Sequence, residues 1–362
     1  MIRILHAADL HMDSPFEGLS SQQASLRRRE QRGLLHRLAE LAEESGAQLM
    51  LLAGDLLDST EAYAETGAML VSALGKLNIP VFIAPGNHDF YSLRSPYARL
   101  QLPENVHIFT ESRLQSVVLE DLGVRVWGAG YTDRVCPPLL EGFAPVKEAD
   151  MLDILCFHGE LAPLTSPYAP CSEEELAQSG IDYVAMGHIH RFSGLRQAGK
   201  TYYAWPGCPE GRGFDETGEK GVILADVAQG RCKLRFVPLC SRRYETLRIE
   251  VGEDALASAL AALPEGTERD IYRLVFCGEC DGGVDLAAVR SAIEERFFAL
   301  QLRDETRPRR ELWEAVDENS LTGLFLRRMR SRLEAAADDA ERQRLLTALR
   351  CGLSALEGGE EP

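Results

Sequence analysis

Apolar positions in the first two hundred residues gather into five short runs, each cut off by glycine, acid, amide or histidine. The run at residues 2–5 precedes Asp9-Leu10-His11, and the run at 49–53 precedes Gly54-Asp55. The run at 81–84 precedes Gly86-Asn87-His88-Asp89, that at 154–157 precedes His158, and that at 183–186 precedes Gly187-His188-Ile189-His190. Short runs of branched or large apolar residues bounded by turn formers predict buried strands. Between them the apolar period lengthens. Leu26, Leu34, Leu35, Leu38 and Leu41 share one face of a helix predicted over 25–44, and a second helix is predicted over 61–77. Strand–helix–strand alternation predicts a layered α/β core.

The pattern continues with a hairpin, residues 117–119 and 124–127 flanking Glu120-Asp121-Leu122-Gly123. Residues 161–175 are polar and proline-rich, so a surface loop is expected there beside the strand ends. Residues 201–204, 221–226 and 233–238 read as strands of a second sheet. Near Cys240 the pattern changes to a small β-α-β-α-β unit: strand 244–251, helix 254–263, strand 271–277, helix 285–298 and a weak strand 299–303. The basic linker Arg307-Pro308-Arg309-Arg310 leads to a helical end. Leu321, Leu324, Phe325, Met329 and Leu333 form one apolar stripe there, and Leu345, Leu346, Leu349, Leu353 and Leu356 a second. The tail 358–362 is expected to be disordered.

Ligands of α/β sheets sit beyond the carboxyl ends of the strands. The five strands therefore bring aspartate, asparagine and histidine to one rim. Imidazole suits zinc, iron, nickel or copper, and carboxylate and amide oxygens suit manganese or magnesium, so the mixture points to manganese, iron or zinc. One carboxylate can bridge two ions roughly 3.5–4 Å apart. A single D-x-H or G-D is usually an ordinary turn. Five such stretches, each after a strand, argue for a metal pair.

The order D-x-H, G-D, G-N-H-D, H, G-H-x-H resembles the calcineurin-like metallophosphoesterases, and within them the DNA-repair exonuclease (SbcD-type) branch. Asp58 three residues after Asp55, Arg191 after His190, and Pro206-Gly207-Cys208-Pro209 leading to Gly213-Phe214-Asp215-Glu216 carry the branch resemblance. It implies an α/β fold: a two-sheet metallophosphoesterase sandwich flanked by helices (1–240), a small α+β capping domain (241–305), and a linker with C-terminal helices for partner docking (306–362). It implies that Asp9, His11, Asp55 and His190 hold one divalent ion, and that Asn87, His158 and His188 hold a second together with Asp55. Manganese is the expected metal, with iron and zinc as alternatives. His88 would supply a proton to the leaving group, oriented by Asp89. Arg191 and Asp58 are candidates for substrate contact, and a loop cap is the plainer role for Asp58. The implied partners are DNA, an SMC-like (SbcC-type) ATPase docked on Leu324, Phe325 and Met329, and a second copy of the chain.

Charge complicates this picture. The 362 residues carry a net charge of −17, whereas duplex affinity comes largely from phosphate neutralisation. The cluster Arg27, Arg28, Arg29 and Arg32 is read first as a solvated helix face and second as a DNA-backbone patch. Two other functions therefore stay open: a phosphodiesterase or phosphatase for a small or protein substrate, and a scaffold with a vestigial metal site. His6, His36 and His107 fall outside the pattern and read as packed or surface residues. No phosphate loop of the ATPase type is present. Nine cysteines without framework spacing suit a reduced, cytoplasmic protein, and Cys277-Gly278-Glu279-Cys280 reads as a strand end with incidental thiols. A strand starts at once, with no basic-then-apolar leader and no membrane span.

Overall fold

All five apolar runs form strands, and almost every side chain in them is buried because both faces of each sheet are covered. The computed structural model describes residues 1–148, 150–280, 283–308, 313 and 320–356, with backbone alone at 339, 340, 342, 343 and 354. Arg309 and Arg310 of the basic linker and the expected disordered tail lie outside the described residues. The chain divides into two compact units, Met1–Arg243 and Tyr244–Pro362.

The first unit begins β1 (Ile2–Ala7), α1 (Ser21–Ser45), β2 (Leu49–Leu52), α2 (Ala64–Leu74), β3 (Val81–Ile83), α3 (Pro96–Arg99) and β4 (Val106–Ile108). It continues β5 (Gln115–Leu119), β6 (Val124–Gly128), β7 (Leu152–His158), α4 (Glu173–Gln178), β8 (Tyr183–Gly187), β9 (Arg196–Ala198), β10 (Thr201–Ala204), β11 (Gly221–Ala228) and β12 (Arg231–Pro238). Among the described residues these strands form two six-stranded sheets, ordered β12-β11-β1-β2-β3-β4 and β5-β6-β7-β8-β10-β9. Strand side chains alternate between faces. Ile4, Leu51, Phe82, Ile154 and Tyr183 meet between the sheets, while Leu5, Leu52 and Ile83 pack outward on Leu34, Leu38 and Leu70 of α1 and α2. On the other side Leu155, Phe157 and Met186 pack on Leu176 of α4. The unit is a two-sheet α/β sandwich with outer helices.

Three expectations need correction. Residues 221–226 and 233–238 belong to the first sheet, not the second: β11 pairs antiparallel with β1, Ile2 opposite Val227, and β12 folds back on β11. Only β10 joins the second sheet, parallel to β8. Nothing local distinguishes these choices, because a strand's neighbour is set by non-local pairing. Helix α1 starts at Ser21, four residues before the predicted start, where Ser20 and Gln23 form a reciprocal capping box. Arg27 is not on a solvated face; it is fully buried, paired with Glu30 at 2.7 Å and Glu210 at 2.8 Å.

The second unit contains β13 (Tyr244–Glu250), α5 (Ala255–Ala262), β14 (Ile271–Cys277), α6 (Leu286–Ile293) and β15 (Ala299–Asp304), then α7 (Leu321–Glu334) and α8 (Asp339–Leu356). Its three strands form a parallel sheet, β13-β14-β15. Helices α7 and α8 bury Leu326, Met329 and Leu333 against Leu346, Leu349 and Leu353. Arg350 ties α8 to the sheet, donating to Asp304 and to the Thr306 main-chain oxygen at 3.0 Å. Of the three expected docking anchors, Met329 is therefore buried within the chain, Phe325 lies over Gly352, and Leu324 is 58% exposed; Leu321 of the same stripe is 69% exposed. The Cys277 and Cys280 thiols each donate to a carbonyl, Ile249 and Gly283. Among the described residues no helix is long and apolar enough to cross a membrane.

Candidate metal centre

The turns that follow β1, β2 and β8 bend the chain sharply. Asp9, His11, Asp55 and His188 have φ of 54°, 43°, 50° and 93°, the left-handed region, which costs a non-glycine residue roughly 1–2 kcal/mol. Cross-links hold these turns in place. The Asp9 N–H donates to Gly54 O at 3.0 Å and the His11 N–H to Asp55 O at 2.9 Å. The His188 N–H donates to Asp9 Oδ1 at 3.0 Å, and the His88 N–H to Asp55 Oδ1 at 2.9 Å. The indole of Trp205 donates to Gly159 O and Gly187 O, closing the ends of β7 and β8. Gly187 permits this approach, since a Cβ there would lie 1.8 Å from Ala53 O.

The side chains converge. Donor atoms of Asp9, His11 and His190 lie within 4.8 Å of one another, as do those of Asp9, Asp55 and His158, and of His11, Asp58 and His88. His11 Nε2 and His190 Nε2 face each other at 3.2 Å. Asp55 Oδ2 stands between the two histidine groups, 3.7 Å from His11 Nε2 and 3.3 Å from His158 Nε2. Asn87 Oδ1 is 3.1 Å from His158 Nε2. The His188 ring stands at the open edge of this group, its centroid 5.1 Å from that of His158.

Donor chemistry tests the fit to metal. His158 Nδ1 donates to Ala53 O at 3.0 Å, and His190 Nδ1 donates to Glu216 Oε1 at 2.7 Å. Both rings therefore turn an Nε2 lone pair inward, beside two buried carboxylates. The carboxylates and imidazoles also shift one another. Burial opposes charge on His158, but Asp55 and then Asp9 outweigh it and push the ring up to about 9. Burial and then His158 push His188 down to about 4, leaving it a neutral donor. Burial acts upward on Asp55, yet His158 and His11 hold it below the usual carboxylate range. Inward lone pairs, an amide oxygen and two buried carboxylates fit a pair of divalent ions.

His88 is exposed beside this set, and its Nδ1 donates to the Asp58 main-chain oxygen at 3.0 Å. The expected orientation by Asp89 is not what the side chains do. Asp89 is fully buried; Oδ2 accepts from the Leu56 and Leu57 N–H groups and the Tyr97 hydroxyl, and Oδ1 accepts from the Gly86 N–H. It braces the backbone of the Asp55 and Asn87 loops. The Asp58 carboxylate is likewise engaged, 3.2 Å from His11 Nδ1 and 3.1 Å from Arg212 Nη1, instead of open to substrate. Arg191 is exposed next to His190. His6 is a core residue, bonded to the Tyr183 hydroxyl and Met186 O.

Residues 2–192 match the family described as calcineurin-like phosphoesterase. The chain belongs to the calcineurin-like phosphoesterases. Its relatives include the uncharacterized metallophosphoesterase YhaO of Bacillus subtilis, 29% identical over 89% of this chain and 84% of that protein. The DNA double-strand break repair protein Mre11 of Methanopyrus kandleri is 22% identical over 84% of this chain and 73% of its own length. A subunit of the nuclease SbcCD of Bacillus subtilis is 23% identical over 63% of this chain and 67% of its own length. Family membership makes this a phosphoesterase hydrolase with a candidate binuclear site.

Within this calcineurin-like phosphoesterase, several residues gain a place that sequence reading did not assign. Glu216 was part of a motif but had no partner; it bonds His190. Arg212 bonds Glu216 and Asp58. Tyr168, on the loop predicted beside the site, lies over His188 with ring centroids 4.8 Å apart, and Glu160 Oε2 is 3.9 Å from His188 Nε2. Ala169, next to Tyr168, has φ 43°, a strained backbone. The polar, proline-rich composition of that loop was the only signal for it.

Proposed function

We propose that this chain is a cytoplasmic, binuclear-metal-dependent phosphodiesterase that cleaves DNA, as the nuclease subunit of a DNA-repair complex with an SMC-like ATPase. The observation that carries it is the convergence of Asp9, His11, Asp55, His158 and His190 beside an exposed His88. Asp9, His11 and His190 with Asp55 would hold one ion, and Asp55 with Asn87, His158 and His188 the other. Bound divalent ions, manganese by this donor set, supply Lewis acidity toward phosphoryl oxygens and activate a water. The chain does the rest. Ala53 O and Glu216 fix the tautomers of His158 and His190. Asp58 O holds the Nδ1–H of His88, which turns Nε2 outward; with the ring doubly protonated, the Nε2 proton passes to the leaving oxygen and the ring is left neutral. Relatives named for double-strand break repair and for the SbcCD nuclease support DNA as the substrate. The small second unit and its terminal helices support a larger substrate and a protein partner, since a minimal phosphatase needs neither.

One observation favours a small or protein substrate on the same site. The net charge is −17, and three arginines of the α1 cluster are engaged within the chain, Arg27 with Glu210, Arg28 with Pro15 O and Arg32 with Asp13. A manganese-supplemented assay on linear duplex, single-stranded DNA and p-nitrophenyl phosphodiesters separates the readings. Cleavage of DNA at rates above the small diester supports the nuclease. Turnover of the small diester alone would overturn it.

A further inference from the structure

We propose that Arg212 is a positioning residue that sets two histidines of the site at once, His190 both directly and through Glu216, and His88 through Asp58. This rests on the reading of the site as a metal-dependent phosphodiesterase with His88 as proton donor. Arg212 lies in the segment between β10 and β11, far in sequence from Asp58. Its Nη2 donates to Glu216 Oε1 at 2.8 Å and lies 3.1 Å from His190 Nδ1, its Nη1 donates to Asp58 Oδ1 at 3.1 Å, and its own main-chain N–H donates to Glu216 Oε2 at 2.8 Å. A guanidinium is a planar fork with donors in fixed directions. It therefore sets the distance and angle between the two carboxylates.

Glu216 and Asp58 each in turn set a ring. Glu216 is 5% exposed, and its Oε1 accepts from His190 Nδ1 at 2.7 Å. That bond selects the tautomer whose Nε2 lone pair faces His11 and Asp9. Asp58 lies on the loop after Asp55. Its main-chain oxygen accepts from His88 Nδ1 at 3.0 Å, and its Oδ1 lies 3.2 Å from His11 Nδ1. A shift of Asp58 moves the proton donor and tilts His11.

The arginine is itself anchored. Two residues earlier, the fully buried Glu210 accepts from Arg27 at 2.8 Å, Arg37 at 2.9 Å and the Ser241 N–H at 2.7 Å. A buried, multiply bonded carboxylate fixes the register of its segment. Arg212 thus projects from a rigid base toward two acceptors that already occupy its fork. A substrate clamp would instead present its paired donors to solvent.

The test uses the full chain with Arg212→Lys, Arg212→Ala and Glu216→Gln. Manganese affinity is read by titration calorimetry, and kcat and KM are read on aryl phosphodiesters of graded leaving-group pKa. Lysine keeps the charge but cannot span both acceptors, so both Arg212 variants should behave alike. Manganese should bind about 10–100-fold more weakly at the tighter site. In the Arg212 variants kcat should fall most for the poorest leaving groups, by about 100-fold, with KM little changed. On a His88→Ala background Arg212→Ala should no longer steepen that dependence. Glu216→Gln should weaken manganese binding without steepening the leaving-group dependence. A raised KM with unchanged metal affinity and leaving-group dependence would overturn the proposal in favour of direct substrate contact. A lowered Tm alone, with metal affinity and leaving-group dependence intact, would also overturn it. If the wild-type protein hydrolyses no phosphodiester, the functional reading fails, and the calorimetry still decides the link from Arg212 to His190.

Discussion

Gln31 reaches from α1 into the turn after β1, where its Nε2 donates to Leu10 O at 3.0 Å and His11 O at 2.7 Å. That turn holds Asp9 and His11 in left-handed backbone. A fully buried amide on the longest helix therefore braces two metal-ligand candidates. Replacing Gln31 by Leu leaves two buried carbonyls without this donor, each worth about 1–3 kcal/mol. Urea unfolding should show a loss of about 2–4 kcal/mol, and calorimetry a weaker manganese site. A loss confined to the ±0.5 kcal/mol typical of neutral surface changes would remove Gln31 from this role.

Gly187 has no room for a side chain. A Cβ would meet Ala53 O at 1.8 Å and His158 Nδ1 at 2.9 Å. Gly187→Ala must push β8 away from β2, or displace the His158 ring. The expected cost is about 3 kcal/mol or more, with metal stoichiometry below that of the wild type. Normal stability and stoichiometry would mean that the strand ends have more slack than these distances allow.

His88 and Asp55 should separate chemistry from metal retention. His88 is exposed and held through the Asp58 main chain, whereas Asp55 faces both histidine groups. His88→Ala should keep two ions and lose about 10²–10⁴-fold in kcat. Asp55→Ala should lose metal. Metal analysis by plasma mass spectrometry decides; ions lost from the His88 variant and retained by the Asp55 variant would reverse the assignments.

Turnover should need metal and be highest with manganese, because the donor set mixes imidazole with carboxylate and amide oxygen. Chelation should abolish phosphodiesterase activity, and manganese should restore it. Full activity in protein verified as metal-free would sink the binuclear mechanism.

The exposed leucines of α7 offer a sharper test of partner docking than truncation. Leu321 and Leu324 lie three residues apart on one helix face, clear of the contacts to α8. Changing both to Glu should leave stability within about 0.5 kcal/mol and small-diester hydrolysis intact. It should remove an SMC-like ATPase from pull-downs of the native cell, read by mass spectrometry. Equal recovery with wild type and variant would exclude this face.

The sequence by itself determined the strands and the residues that crown them. Each is a local pattern, an apolar run followed at once by Asp, Asn, Gly or His, and local patterns survive folding when both sheet faces are covered. The strand–helix order of the second unit was legible for the same reason. Tertiary structure alone decided what joins these pieces. Placing β11 beside β1 required a pairing across more than two hundred residues that no local signal encodes. Arg27 looked like part of a solvated basic cluster because its partner Glu210 is 183 positions away. Asp89 looked like a partner for His88 because they are neighbours in the chain, yet the turn sends its carboxylate into the core, to Leu56, Gly86 and Tyr97. His88 is held instead by a main-chain oxygen, that of Asp58. Every residue carries such an oxygen, so composition cannot mark it, and only the folded backbone aims one at an imidazole.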